Sequence, residues 1–222
     1  MTPLSKDKLN LLFLSIIIIS GILLYLPSTS ISFLNDEIAF IKRNQVSSLT
    51  ELANLFDKKD YDGDYYRPFV NFTSGLITIA GGYNPVFYRI FNILLHTANG
   101  ILVYFFILSL MQGKDKKDII SLFGALFFIS FPLNDYSVIW HTDLFDRLMT
   151  SFYLLSLIFF IRKKTWGITS LIFFLLALLS KEMAFSLPFA VFLFSWFLND
   201  NNRFIKAIKD SIPYIFILLI LI

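Results

Sequence analysis

The chain has 222 residues, of which 56% are hydrophobic, 18% aromatic and 16% charged, and its formal net charge is +3. Soluble domains carry about 25% charged residues, and here the apolar residues form runs long enough to cross a bilayer, so the composition excludes an ordinary soluble domain and predicts an integral membrane protein. The basic residues lie in short clusters between the runs, which is not the pattern of a nucleic-acid-binding surface, and the absence of cysteine excludes disulfides and thiolate sites.

The first apolar run, residues 9–26, predicts an uncleaved membrane helix. It follows Lys6 and Lys8 and is close to the roughly 20 residues that span a bilayer. A cleaved signal peptide is the alternative, since Ser28-Thr29-Ser30 follows the run. The long apolar core and the missing Ala-x-Ala-like site favour the helix.

A polar and amphipathic stretch, residues 27–84, is predicted to be the first outward loop and to contain helices that lie in the membrane interface. Ser48 and Glu51 have the spacing of a capping box, and apolar residues on one helical face follow them. Pro68 suits the first turn of another helix, which Gly81-Gly82 would end. Within the same loop, a weak calcium-loop pattern is formed by three acids, Asp60, Asp62 and Asp64.

Further apolar runs predict six more membrane helices. They cover residues 85–111, 119–133, 148–161, 166–179, 183–198 and 212–222. We therefore expect an all-α polytopic membrane protein with about seven transmembrane helices in a single membrane domain, residues 1–222. Because the sequence ends inside the last run, we expect this domain to be an N-terminal fragment of a longer protein.

The distribution of basic residues predicts the orientation. The short loops and helix ends of one side hold Lys6, Lys8, Lys114, Lys116, Lys117, Arg162, Lys163, Lys164, Arg203, Lys206 and Lys209. The short loops of the other side hold only Arg147 and Lys181. The N-terminus is therefore predicted to be cytoplasmic and the first loop to face the periplasm, cell exterior or ER lumen. The composition suits a bacterial inner (plasma) membrane.

Two adjacent carboxylates, Asp36 and Glu37, directly follow the first helix. Half-withdrawal from water raises the pKa of a carboxyl, so an acid here is a candidate general base at the membrane surface. The structural alternative is a helix cap, because Asn35 and Asp36 are both good N-cap residues.

The link between the third and fourth membrane helices contains His141, Asp143 and Asp146. These side chains could hold a divalent metal ion together with Asp36 or Glu37. The alternative is a solvated loop in which Asp146 caps a helix and the following arginine anchors to lipid headgroups.

Lys181 and Glu182 form a tight polar break between two apolar helices. They could simply pair with each other, or Lys181 could hold a phosphate while Glu182 orients it or acts as a second base. His96 follows Arg89 by seven residues, on the same helical face, and is expected to bond between helices.

Four motifs, in order, resemble the membrane O-mannosyltransferases that carry tetratricopeptide repeats. The first is the acid pair Asp36-Glu37, which is also similar to the wider GT-C superfamily. The others are the YRPF of residues 66–69, the segment YNPVFYRIFNILLHTAN of residues 83–99, and the LSKE of residues 179–182, with Pro188 beyond it.

This resemblance implies a GT-C fold, an outward-facing active site and an inverting sugar transfer from a polyprenyl-phosphate donor to a hydroxyl of a protein, lipid or glycan. Asp36 would be the catalytic base, with Glu37 beside it, and Arg67, Arg89 and Lys181 would stabilise the leaving phosphate. The chain departs from the family in showing no repeats and in the link at residues 141–147.

Two alternatives to this function stay open. A transporter or flippase for a lipid-linked substrate would place charges at mid-membrane depth, whereas here they lie mostly at helix ends. An inactive truncated remnant is the other.

Overall fold

The computed structural model describes residues 6–57, 65–199 and 202–221, which form helices and no strands. The α-helices are α1 Lys6–Tyr25, α2 Glu37–Arg43, α3 Pro68–Gly81, α4 Pro85–Leu110, α5 Lys117–Ser130, α6 Asn134–Ile139, α7 Leu144–Lys163, α8 Ile168–Leu178, α9 Leu187–Leu198 and α10 Arg203–Leu221. Short 3₁₀ helices are Leu26–Ser30, Glu51–Phe56, His141–Asp143 and Glu182–Ser186. The predicted calcium loop lies outside the described residues.

Helix α4 is the centre of the first half of the bundle, and α1 and α5 run antiparallel to it. Tyr104 near the end of α4 donates a hydrogen bond to Asn10 near the start of α1, at 3.2 Å. Gly100 of α4 lies against α5, where an added Cβ would come within 2.5 Å of the Ile129 side chain. A larger residue at this position would have to displace the buried Ile129 side chain.

Helix α7 runs parallel to α4. Asn99 of α4 donates to the backbone oxygen of Arg147 near the start of α7, at 2.9 Å, and Arg162 near its end donates to Ser109 of α4, at 3.2 Å. With α1 and α5 antiparallel, the connections therefore alternate between two ends of the bundle, as the sequence predicts. Which end faces the cytoplasm stays a prediction.

The second half of the bundle packs α7, α8, α9 and α10 around an apolar core that contains Phe160, Phe174 and Tyr214, all fully buried. Polar groups inside it are paired. Asp210 of α10 accepts hydrogen bonds from Thr165 at 2.8 Å and from Ser195 at 2.7 Å. These bonds tie α10 to α9 and to the loop after α7.

Among the residues that the structure describes, three helical segments are long and apolar enough to cross a bilayer: Asp7–Ser30, Pro85–Leu110 and His141–Lys163. Two shorter apolar segments are Ile168–Leu178 and Glu182–Leu198. Large apolar side chains such as those of Leu219 and Phe197 are exposed on the outside of the bundle, as expected for a surface that faces lipid. These features are those of a polytopic membrane protein, and the number of spans stays a prediction.

Several predicted boundaries are confirmed and others are wrong. The helix from Pro68 to Gly81 ends at Gly82, which has φ of 55°. Glu51 accepts hydrogen bonds from the Ser47 amide at 2.8 Å and from the Ser48 hydroxyl at 3.2 Å, but the helix that begins there is a 3₁₀ helix. The predicted start of the last helix at residue 212 is wrong, because α10 begins at Arg203.

Candidate active site

The first loop places Asp36 at the start of α2, on the exposed surface. Asp36 occupies the N-cap position, yet its side chain makes no capping bond. Its Oδ1 instead accepts hydrogen bonds from Trp140 Nε1 at 2.9 Å and from Thr142 Oγ1 at 3.2 Å. The carboxylate is therefore held by the link between α6 and α7 rather than by its own helix.

Glu37, the next residue, is fully buried and faces Arg89 of α4, which is also fully buried. Arg89 Nη1 lies 2.6 Å from Glu37 Oε1, and Nη2 lies 2.8 Å from Oε2. Backbone amides of Leu34, at 2.6 Å, and of His141 also donate to this carboxylate. Both charges are thus compensated inside the protein.

Arg89 offers no exposed donor to a ligand, because its side chain is fully buried and both of its Nη atoms make further bonds to the backbone. Its Nη1 donates to the Ile139 oxygen at 2.5 Å and its Nη2 to the Ser32 oxygen at 2.8 Å. The sequence suggested Glu37 as a catalytic acid and Arg89 as a phosphate ligand. The structure pairs the two side chains with each other, and the pair joins the first loop, α4 and the link that holds Asp36.

A second group of charges lies where α3 begins, against the break between α8 and α9. Arg67 donates to both carboxylate oxygens of Glu182, with Nη2 at 2.8 Å from each and Nε at 3.1 Å from Oε2. Lys181 pairs with Asp146 of α7 at 2.5 Å. Of the two alternatives for Lys181 and Glu182, the pairing of these neighbours with each other is not observed, since each side chain bonds a different segment.

The Phe145 ring lies close to both cations of this group. The Arg67 guanidinium carbon is 4.3 Å from its centroid and Lys181 Nζ is 4.6 Å from it. Both basic side chains remain 17% exposed. They are thus partly accessible cations, each already paired with one acid.

Glu182 is ionised more readily than an isolated glutamate. Partial burial raises the pKa of its carboxyl. Hydrogen bonds from its own backbone and from Arg67, together with the positive charges of Arg67 and Lys181, lower the pKa by more than burial raises it. The pKa of Glu182 is therefore held below its ordinary value of 4.5.

His141 and Arg147 meet at a residue that was not predicted, Asn92 of α4. The Oδ1 of Asn92 lies 3.0 Å from His141 Nδ1 and accepts a hydrogen bond from Arg147 Nη2 at 2.9 Å. Asn92 completes a buried polar stripe on α4, in which residues follow at helical spacing: Arg89, Asn92, His96 and Asn99. As expected, His96 bonds between helices, with Nε2 at 3.4 Å from the Ile129 oxygen of α5.

The predicted metal site at His141, Asp143 and Asp146 gains no geometric support. Asp143 accepts a hydrogen bond from Ser137, and Asp146 is paired with Lys181. In the part of the chain that the structure describes, no group of three or more His, Asp or Glu side chains is placed to hold a metal ion. A metal role stays a prediction, and none of the proposed reaction steps uses one.

Comparison with protein families gives a match over residues 68–222, and therefore over more than half of the chain. The match is to the dolichyl-phosphate-mannose-protein mannosyltransferases. The chain belongs to this family. It is thus a member of a family of membrane glycosyltransferases, in agreement with the resemblance in its motifs. Comparisons with curated proteins and with solved structures gave no match.

Two of the family-like motifs meet in space. The YRPF segment contacts the LSKE segment through the ion pair between Arg67 and Glu182 and through a hydrogen bond from the Phe69 amide to the Leu179 oxygen, at 3.2 Å. The motif residues that are far apart in the chain therefore form one surface together with Asp146 of α7.

Sequence reasoning missed the residues that hold Asp36. Trp140 and Thr142 flank His141, which the sequence predicted as a metal ligand, and it is these two neighbours that bond Asp36. A tryptophan at a helix end in a membrane protein is usually assigned to the interfacial aromatic belt. Its indole nitrogen here has a defined partner.

Proposed function

We propose that this protein transfers a sugar from a polyprenyl-phosphate donor to a hydroxyl group, with inversion at the anomeric carbon and on the outward face of the membrane. Mannose is the sugar that the family name indicates. Outward orientation is supported by the basic residues clustered at the opposite ends of the helices.

The observation that carries the proposal is the placement of Asp36. It is an exposed carboxylate in the loop that follows the first membrane-spanning candidate helix, oriented through one oxygen by Trp140 and Thr142. Within the described residues, its Oδ2 has no hydrogen-bond partner. That oxygen is therefore available to accept the proton of an acceptor hydroxyl, as a general base must.

The reaction then needs no further covalent step. The acceptor oxygen attacks the anomeric carbon and its proton passes to Asp36 Oδ2. The bond between the anomeric carbon and the phosphate oxygen breaks, and the electron pair leaves with the lipid phosphate. Attack in line with the leaving group inverts the anomeric carbon.

The leaving phosphate gains negative charge, and Arg67 and Lys181 are the cations proposed to stabilise it. Each is partly exposed and each pairs with a carboxylate that a phosphate would partly replace. Arg89 is not assigned this role, because its side chain is fully buried and both of its Nη atoms bond Glu37 and backbone oxygens.

The proposal is tested with the purified chain in lipid nanodiscs, given radiolabelled polyprenyl-phosphate mannose and a hydroxyl-bearing peptide or glycan acceptor. Label should pass to the acceptor, and NMR of the product should show the anomeric configuration opposite to that of the donor. Retained configuration would overturn the single-displacement mechanism. Absence of transfer from this donor and from the corresponding glucose donor, with folded protein, would overturn the function.

A further inference from the structure

A polar cavity of about 250 Å³ opens between α4, α5, α6 and α7, next to the candidate site. Its polar walls include His96, Asn99, Asn134, Ser137, Asp143 and Arg147. Asp143 directly follows Thr142, which donates to Asp36 at 3.2 Å. The cavity therefore lies behind the segment that holds the proposed base, and the proposed mechanism makes no use of it.

The chemistry of the walls suits a polyol. Amide, carboxylate, hydroxyl and imidazole groups offer both hydrogen-bond donors and acceptors, as the hydroxyls of a sugar ring require. Phe128 adds an apolar surface, held flat against the His96 ring with centroids 5.1 Å apart. Sites for drug-sized ligands enclose roughly 300–1,000 Å³, so the smaller volume here suits a single ring.

One buried donor on this wall has no partner. Arg147 is 3% exposed, and although its Nη2 bonds Asn92, its Nε bonds no atom of the described residues. An unpaired buried donor is costly, and a ligand hydroxyl in this cavity would supply the missing acceptor. This observation is independent of the acids that line the cavity.

The charges of the walls decide between ligands. Two carboxylates, Asp143 and Asp146, disfavour a phosphate, while Arg147 disfavours a free cation. A neutral sugar ring can accept hydrogen bonds from the arginine and donate to the acids at the same time.

The cavity also borders an apolar hollow. Thr150 lines both the cavity and a second space of about 260 Å³, whose walls include Met149, Tyr153 and Met183. A polar cavity and an apolar hollow that share one wall residue suit a sugar attached to a lipid. The assignment to a lipid-linked sugar rests on the proposed function.

We propose that this cavity is a binding site for a hexose ring, with Asp143 and Arg147 bonding its hydroxyls. The ring could be that of the lipid-linked donor or a sugar of a glycan acceptor. The adjoining apolar hollow favours the donor.

The test measures binding and not transfer, so that it does not depend on Asp36. Wild type, Asp143→Asn and Thr150→Phe are compared in nanodiscs with three probes: polyprenyl-phosphate mannose, polyprenyl phosphate without sugar, and methyl mannoside. Thr169→Phe, at an exposed position near the other end of the bundle, is the matched control. Asp36→Asn should bind all three probes as the wild type does.

We expect the wild type to prefer the sugar-bearing lipid by about tenfold or more, the size of one hydrogen bond to a charged group. In both cavity variants, the ratio of the affinity for the sugar-bearing lipid to that for the bare lipid phosphate should fall towards one. Binding of the bare lipid phosphate itself should stay unchanged. If only methyl mannoside binding falls, the cavity binds a sugar of the acceptor. Unchanged binding of all sugar probes in both variants would overturn the proposal. If the wild type transfers no label but binds sugar, and the cavity variants lose that binding, the cavity proposal is upheld and the proposed function is rejected.

Discussion

Glu37 and Arg89 form a two-bond ion pair that is fully closed to solvent, with nitrogen–oxygen distances of 2.6 and 2.8 Å. The pair lies between α2 and α4 and also receives the His141 amide. It therefore fixes the positions of the two segments that form the Asp36 site, the first loop and the link before α7.

Removing one partner of this pair should unfold the site. Glu37→Ala leaves the Arg89 charge buried without a counter-ion, which typically costs about 3–5 kcal/mol. Thermal unfolding in detergent should show a large fall in midpoint for this variant and for Arg89→Ala. Asp36→Asn, one residue away and exposed, is the control and should unfold like the wild type. Wild-type stability in Glu37→Ala, with activity lost, would return Glu37 to a catalytic role.

The indole of Trp140 should matter to rate more than to folding. Trp140→Phe keeps an aromatic ring and removes the donor to Asp36 Oδ1. A hydrogen bond to a charged group is worth about 1.5–3 kcal/mol, so kcat should fall roughly 10- to 100-fold with little change in KM. Trp166→Phe, in the loop between α7 and α8, is the matched control. Equal kcat in the two variants would show that Trp140 does not position the base.

The contact between Arg67 and Glu182 should tolerate reversal of its charges. Arg67→Glu and Glu182→Arg each place like charges together where α3 meets the break before α9. The double variant restores opposite charges, and a double-mutant cycle on unfolding should give a favourable coupling of about 1 kcal/mol, because both side chains are partly exposed. Additive effects in the double variant would show that the pair contributes nothing to stability.

The same contact predicts a dependence on pH. Because the pKa of Glu182 is lower in the folded protein, its stabilising effect is complete above its ordinary value of 4.5 and is lost as the pH falls through the folded value. The difference in unfolding midpoint between wild type and Glu182→Gln should thus be largest near neutral pH. It should shrink as the pH falls below about 4.5. A difference that stays constant down to pH 3 would contradict the lowered pKa.

The helices of the membrane bundle were predictable because burial in lipid demands long apolar runs, and such runs are read directly from the sequence. The start of α10 was not predictable. Lys206 and Lys209 suggested a loop, but a helix can carry charged residues on one face, and α10 does so. Helix boundaries in amphipathic segments depend on tertiary packing, which hydropathy does not contain.

The sequence predicted which polar residues form the candidate site, but it did not predict which of them bond each other. Asp36, Arg67 and Glu182 stand out as polar residues at helix ends, but Arg67 bonds a residue 115 positions away. Lys181 and Glu182 are neighbours in sequence and bond different segments. Such pairings follow from the way α3, α7 and the break before α9 come together, and local spacing does not contain that information.

The central claim is that Asp36 accepts the proton of the acceptor, and the most direct test is the transfer rate of Asp36→Asn. The amide keeps the shape of the side chain and loses the base, so transfer from polyprenyl-phosphate mannose should fall by at least about 10²-fold. Donor binding and the unfolding midpoint should match those of the wild type. Transfer at the wild-type rate in this folded variant would contradict the account.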